Sequence, residues 1–421
     1  MLIDIDKWQE IIHSLRKNKL RTFLTAFGVF WGIFMLIIML GSGNGLENGV
    51  THGFGSFATN SAFIWTRSTT IPYKGFPRGR YIRLTNDDMI ALREYIPEIE
   101  YLAPRLNGWG DEGNNVTHDN KTGAFTIHGD YPVINKIDPN TMVHGRFINH
   151  FDITEKRKVA VIGEKVVDVL FEPGVNPVGE YIKIKGVYFQ VVGVYKPASQ
   201  AISFGGDKEK TIILPFTSLQ KAYNFGDAVH YFSVTAKKGV PASVVEDKCL
   251  ALLARLKSVH PDDTQAFGHF NVEKEFKQMS GLFMGISGLV WLVGIGTLLA
   301  GVIGVSNIML VIIKERTKEI GIQRALGATP RKIISQIITE SVVLTSFAGY
   351  FGLMLGVLVV QGINKLLSNM PAPPDMFRNP EVNFKIAVTA LIILVISGAL
   401  AGLIPARRAI SIKPIDALRS E

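Results

Sequence analysis

Cysteine is almost missing from this chain. Cys249 stands alone among 421 residues, so no disulfide can form within it. Charge is scarce too, at 19% of residues against 47% hydrophobic. Several catalytic patterns are absent altogether. There is no His-Glu-x-x-His, no Gly-x-Ser-x-Gly and no cysteine pair, which argues against the zinc proteases, the serine hydrolases and the Cys-based metal sites. No Gly-x-x-x-x-Gly-Lys-Ser/Thr occurs, and the glycine-rich run 41–45 lacks the lysine that would hold a phosphate, so a P-loop is excluded within this sequence. His144 and His150, six apart, have a poor spacing for one metal ion.

What remains is apolar. The run 281–313 holds thirty-three residues without one charge, and 341–362 is also uncharged. Segments of this length and composition are membrane-span candidates. We expect four: 22–42, 281–313, 333–362 and 384–404. The net charge of +9 does not signal nucleic acid, because the cations gather beside these runs. Lys and Arg accumulate on the inner side of a membrane. They crowd residues 1–21, 314–332 and 405–421 and are sparse in the short loop 363–383, which places both termini and the central loop inside. Residues 43–280 are then outside. At 1–21, Ile5, Trp8, Ile11, Ile12 and Leu15 recur at helical spacing opposite Lys and Arg, the pattern of an interfacial helix on the inner leaflet. The second run is too long for one bilayer crossing, so its outer end is expected to leave the membrane as a stalk.

Small-residue spacings permit close helix contact at Gly28/Gly32, Gly281/Gly285, Gly352/Gly356 and Gly398/Gly402. Glu340, with Gln336 one turn before it, is an acid inside an apolar segment and should face protein rather than lipid.

The region 43–280 reads as α+β. A strand near 61–66, a helix capped at Thr85-Asn86-Asp87-Asp88 and a strand at 99–106 form one β-α-β unit. Residues 230–236, 241–259 and 267–272 form a second. Together they predict a split, ferredoxin-like sandwich over about 50–110 and 216–275. The segment between, about 110–215, reads as a β-rich insertion with a hairpin at Lys185-Gly186.

The loop 314–332, KERTKEIGIQRALGATPRK, is the most specific local feature. Lys314, Arg316 and Lys318 alternate with Glu315 and Glu319, and Ile320, Ile322, Ala325 and Leu326 supply a small apolar face. Gly327 can end this helix and Thr329-Pro330 can start the next. An exposed helix with such a face suits a groove on a soluble partner.

Three segments resemble one family. They are 15–25 (LRKNKLRTFLT), the loop with Glu315, Arg316, Glu319, Ile320, Gly321, Arg324, Ala325, Leu326, Gly327 and Ala328, and 402–409 (GLIPARRA) followed by 414–419 (PIDALR). They are similar to the MacB/FtsX-like permeases of ABC transporters. Gly145-Arg146-Phe147, 159–164 and 191–194 also resemble the MacB-type periplasmic core domain. The resemblance implies an α-helical membrane protein with four transmembrane helices and a large α+β extracytoplasmic domain, made of a ferredoxin-like porter lobe and an inserted sabre lobe. It implies a homodimeric permease in the bacterial inner membrane that is not itself an enzyme. The loop would be a coupling helix that docks on an ABC ATPase, with ATP and magnesium on that partner and no cofactor in this chain. Because only about twenty residues precede the first span, the ATPase is expected as a separate chain. MacB-like efflux, with a periplasmic adaptor and an outer-membrane channel, is the first functional expectation. Lipoprotein release, regulation of cell-wall hydrolases as in FtsX, and sensing of peptide antibiotics are the alternatives.

Overall fold

The computed structural model describes residues 19–54, 57–108, 115–198, 206–370, 374 and 377–411. Of the interfacial helix expected at 1–21, residues 1–18 lie outside the described residues and 19–21 belong to the first long helix; of the tail expected at 405–421, residues 405–410 belong to the last long helix and 412–421 lie outside the described residues. The chain divides into two compact units, one of residues 51–280 and one of residues 1–50 with 281–421.

The first unit is built on two β-α-β repeats. Ser61–Thr66, the helix Asn86–Tyr95 and Ile99–Asn107 form one; Tyr231–Ala236, the helix Ala242–Leu256 and Phe267–Asn271 form the other. Their four strands lie in the order Phe267–Asn271, Ser61–Thr66, Tyr231–Ala236, Ile99–Asn107, and every neighbouring pair is antiparallel. This interleaving is the ferredoxin-like arrangement. Tyr231–Ala236 is buried at every position, as a central strand covered on both faces must be. The helix Asn86–Tyr95 starts where Asp88 accepts from the Thr85 amide at 2.7 Å, which satisfies a donor the helix cannot.

The insertion does not form a sheet of its own. Ile99–Asn107 pairs on its other edge with Thr126–Asp130, and the sheet continues through Thr211–Pro215, Val159–Gly163, Val187–Pro197, Tyr181–Ile184, Asn115–His118 and Lys121–Ala124. Asn140–Gly145 adds to the side of Val187–Pro197. The boundary expected near residue 110 is thus one of chain connectivity, not of hydrogen bonding. An unpaired strand edge beside a buried core would leave amides unsatisfied, and the insertion satisfies them. The Lys185-Gly186 turn has φ of 46° and 85°, the doubly positive geometry of a tight hairpin.

Buried charge joins the two parts. Arg105, on Ile99–Asn107, donates to both carboxylate oxygens of Asp130, on the adjoining inserted strand Thr126–Asp130, at 2.5 and 2.9 Å. Its third contact is the Tyr231 hydroxyl at 3.0 Å. Burial alone would lower the guanidinium pKa, and Asp130 more than offsets it, so Arg105 stays charged. Cys249 is buried, and burial pushes its thiol up to about 12, which leaves it unreactive. Among the described residues no cluster of His, Cys, Asp or Glu could hold a metal ion.

Two further carboxylates give this unit a pH dependence. Asp263 accepts from the Thr70 amide and hydroxyl, each at 2.7 Å, and from the Ile71 amide at 3.0 Å. Asp152 accepts from Arg146 at 2.7 Å and from the Asn149 amide at 2.8 Å. Burial acts to raise both carboxyls, and these donors outweigh it, so both titrate below their ordinary value. A depressed carboxyl contributes stability above its unfolded pKa of about 4 and loses it as pH falls through the folded pKa. The unfolding temperature of this domain should begin to fall near pH 6.5, where the unfolded chain protonates histidines that burial keeps neutral at His128 and His230, and should fall more steeply below about pH 4 as the two carboxylates protonate. Asp263→Asn and Asp152→Asn, followed by scanning calorimetry against pH, should each lower the plateau and shrink the acid limb. An acid limb unchanged in both variants would refute the assignment.

Four helices are long and apolar enough to cross a membrane, Lys19–Phe54, Val272–Glu315, Pro330–Ser368 and Phe384–Ile410, and all but residues 51–54 and 272–280 of them fall in the second unit. Each extends past the uncharged run that marked it, except at the start of the fourth. The second begins nine residues earlier than expected, at Val272, and its 44 residues span about 66 Å. Its early turns carry Glu273 and Lys277 one turn apart as an ion pair, which supports helix in a charged segment.

Close helix contact occurs at some of the small-residue pairs. A Cβ on Gly352 would lie 2.5 Å from the Phe30 carbonyl oxygen, and one on Gly356 would lie 2.9 Å from Ile37. Gly32 approaches Thr297 at 3.6 Å, and Gly402 approaches Ser341 at 2.9 Å. The expectation fails at Gly28, Gly281 and Gly285, where a Cβ would meet nothing within 4 Å. Those glycines are exposed, and no helix among the described residues covers their faces. The loop after Pro330–Ser368 returns to the first helix, where Asn44 and Asn48 donate to the carbonyls of Glu381 and Asn379, both at 3.0 Å.

Candidate functional site

The link between the second and third long helices is itself a helix, Thr317–Ala325. The long helix before it ends at Glu315. Arg316, at φ −95° and ψ 14°, leaves helical geometry for one residue and lets the chain turn. After Ala325 the chain stops in the way a glycine permits. Gly327 takes φ +97°, and the Ala328 amide reaches back to the Gln323 carbonyl at 2.9 Å. Thr329 is extended and Pro330 occupies the first turn of the next helix, where its missing N–H costs nothing.

Two arginines fix this short helix to the bundle. Arg316 binds Glu319 at 2.8 Å and Glu340 at 3.1 Å, the latter on the third long helix. The Glu340 side chain is 6% exposed. At the other end, Arg324 donates to the Ile410 carbonyl at 2.8 Å, at the end of the fourth long helix. That carbonyl is one of the acceptors a helix C-terminus leaves free, and a cation suits it. Between the arginines, Ile320 is buried in one apolar cluster with Ile313, Ile333 and Ile337. The helix is therefore held at three points.

Its other face is open. Leu326 is 83% exposed and Ile322 43% exposed. Glu315, Lys318, Glu319, Ala325 and Gly327 are exposed around them. This divides the residues singled out from the sequence. Glu315, Glu319, Ala325, Leu326 and Gly327 lie on a surface a partner can reach, and Ala328 at its margin is half-buried. Ile320 and Gly321 are buried, and Arg316 and Arg324 are half-buried with partners inside this chain, so these four hold the helix in place rather than present it. The apolar face expected as one stripe is split: Ile320 turns inward, while Ile322, Ala325 and Leu326 turn outward. At about 100° per residue Ile322 lies roughly 160° round the helix from Ile320, with Ala325 and Leu326 beside Ile322, so the four cannot share one face; packing decides which side turns inward. Sequence reading also missed the Arg316–Glu340 pair. The available signal was Glu340 itself, an acid in an apolar run that requires a partner.

Comparison with known proteins adds the following. Residues 22–251 match the model of the MacB-like periplasmic core domain, and residues 277–414 match that of the FtsX-like permease C-terminal domain. The pyoverdine export ATP-binding/permease protein PvdT of Pseudomonas putida is 30% identical over 406 residues, covering 96% of this chain and 58% of that protein. The macrolide export ATP-binding/permease protein MacB of Bdellovibrio bacteriovorus is 28% identical over 421 residues, covering 99% of this chain and 62% of that one. The chain thus spans about three-fifths of the length of these relatives. The crystal structure of the periplasmic region of MacB from Actinobacillus actinomycetemcomitans overlays 54% of this chain and 95% of its own, at a TM-score of 0.42 and 18% identity.

Proposed function

This chain belongs to the MacB/FtsX-like permease family, and from that premise we propose that it is the permease subunit of an ABC exporter. A cytoplasmic ATPase docks on the exposed face of Thr317–Ala325 and drives movement of the domain formed by residues 51–280. The carrying observation is the helix itself, pinned by Arg316, Ile320 and Arg324 on one side and bare at Ile322 and Leu326 on the other. A helix held this way can receive force from a partner and pass it to the third and fourth spans. These 421 residues carry no P-loop, so ATP and magnesium are bound by the ATPase and not within them.

The cation distribution supports a reading in which the termini and this helix face the cytoplasmic side of the inner membrane. The domain 51–280 then works in the periplasm on a substrate for export, with two permeases in the assembly, an adaptor and an outer-membrane channel. That the named relatives export pyoverdine and macrolides supports an export role and leaves the cargo open.

Affinity purification of the solubilised chain, followed by mass spectrometry and an ATPase assay, tests this reading. An ABC ATPase should accompany the wild-type chain. Leu326→Asp places a charge where the partner's apolar groove closes, and Glu319→Lys reverses a rim charge. Leu326→Asp should reduce ATPase recovery at least tenfold and Glu319→Lys several-fold, while both variants stay membrane-inserted and dimeric. Recovery unchanged in both would sink the docking assignment, and no ATPase with the wild type would sink the exporter reading.

A further inference from the structure

A groove of about 670 Å³ opens on the 51–280 domain beside the last strand of its sheet. Phe267–Asn271 pairs with Ser61–Thr66 and with no other strand among the described residues, so one of its edges is open. Such an edge offers unpaired amides and carbonyls to an incoming chain. The groove lies between this strand and the helix Ala242–Leu256, with Leu250, Ala254, Val259 and Phe267 on its floor.

The direction of the strand is fixed. His269 and Asn271 both bind Glu246, each at 2.6 Å, and Glu273, just past the strand, accepts from the amide of Ala242 at the helix start. The strand therefore runs opposite to the helix, and its first residue, Phe267, lies toward the helix end at Arg255. The groove's charges follow the same axis. Asp247 lines one end and Arg255 the other, eight residues or about 12 Å along the helix. Lys74 and His260 flank Tyr73 just past the helix end, His260 five residues on from Arg255, and Asp263 lines the same end with its carboxylate taken up by the Thr70 and Ile71 amides. The Nδ1 of His260 accepts from the Asp262 amide at 3.1 Å, which leaves Nε2 as an N–H donor. Tyr73, edge-on to His260 at 5.2 Å, closes this end, and Asp263 fixes its arm through Thr70 and Ile71. Arg255, Lys74 and Asp247 take part in no ion pair among the described residues.

A strand added antiparallel to Phe267–Asn271 runs with the helix. Its carboxyl end then arrives at Arg255, Lys74 and His260, and its amino end at Asp247. Twelve ångströms of extended chain is roughly four residues. Polarity, charge and length thus agree on one kind of occupant. We propose that this groove is a docking site for the extended C-terminal segment of a partner protein, bound by strand addition to Phe267–Asn271 with its free carboxylate at the basic end and alternate apolar side chains on Leu250, Ala254 and Val259. This proposal does not depend on the transport reading.

The test uses the full chain in lipid nanodiscs and a random hexapeptide library displayed with free C-termini. Selection should enrich peptides with apolar residues at alternate positions. Synthetic copies should bind at least tenfold more weakly as C-terminal amides, and tenfold more weakly again when alternate backbone amides are N-methylated. Ala251→Trp, at an exposed helix position, should block the groove, and Arg255→Glu should remove the preference for the free carboxylate over the amide while unfolding as the wild type does. Enrichment of no groove-dependent peptide overturns the proposal. So do peptides that bind equally as amides, or N-methylated peptides that bind unchanged, which would mark the groove as a site for small amphipathic molecules instead.

Discussion

Under the proposed function, Glu340→Leu is expected to uncouple ATP hydrolysis from export: the ATPase stays bound and hydrolyses ATP, and export falls at least tenfold. The carboxylate is all but buried on the third long helix and holds Arg316 at 3.1 Å across the turn into the short helix. Removing one partner of a buried ion pair costs about 3–5 kcal/mol, because the other charge is left without compensation. Here the cost should fall below that range, since Arg316 is only half-buried and keeps Glu319 at 2.8 Å. The lost contact joins the docking helix to the third span, so the expected defect is in force transmission, not in docking. Leu326→Asp should do the reverse, which separates the two roles. The double variant Arg316→Met/Glu340→Leu removes both charges, and replacing a whole buried pair by apolar groups is often near neutral for stability. It should therefore recover stability but not export. Full export in Glu340→Leu would show that the pair is a packing feature only.

Asp130→Asn is expected to be the most destabilising single change in the 51–280 domain. Arg105 is buried, and its guanidinium fork is satisfied by Asp130 and Tyr231. With Asp130 neutral, a buried cation is left short of its counter-charge, at a cost of about 3–5 kcal/mol. For a domain of this size that lowers the unfolding temperature by on the order of 10 °C. The pair also ties Ile99–Asn107 of the porter sheet to the adjoining inserted strand, so the loss should appear as earlier exchange of the Thr126–Asp130 amides by hydrogen-exchange mass spectrometry. Arg105→Met/Asp130→Leu should restore much of the stability. A shift under 2 °C for Asp130→Asn would mean that solvent reaches the pair.

Much of this protein is local, and what is local can be read. Four long apolar runs, only two of them wholly uncharged, carry the four long helices, because the lack of water in a bilayer forces each span to satisfy its own backbone. The β-α-β repeats could be read because Tyr231–Ala236 and Ala242–Leu256 have runs long enough to show their period. The Lys185-Gly186 turn and the stop at Gly327 follow from single residues whose backbone geometry few others tolerate. The strands Asn115–His118, Lys121–Ala124 and Asn140–Gly145 were not legible, being short and polar, and they are strands because a neighbour's edge is there to pair with.

At the candidate site the same line divides knowledge. The sequence by itself determined that a short amphipathic helix lies between two spans and that Leu326 and Ile322 belong to it. Only the tertiary structure decided that Ile320 turns inward, that Arg316 reaches a glutamate 24 residues away, and that Arg324 closes on the end of the fourth span. The reason is physical: periodicity records which residues share a face of one helix, whereas a buried charge finds its partner through the packing of several.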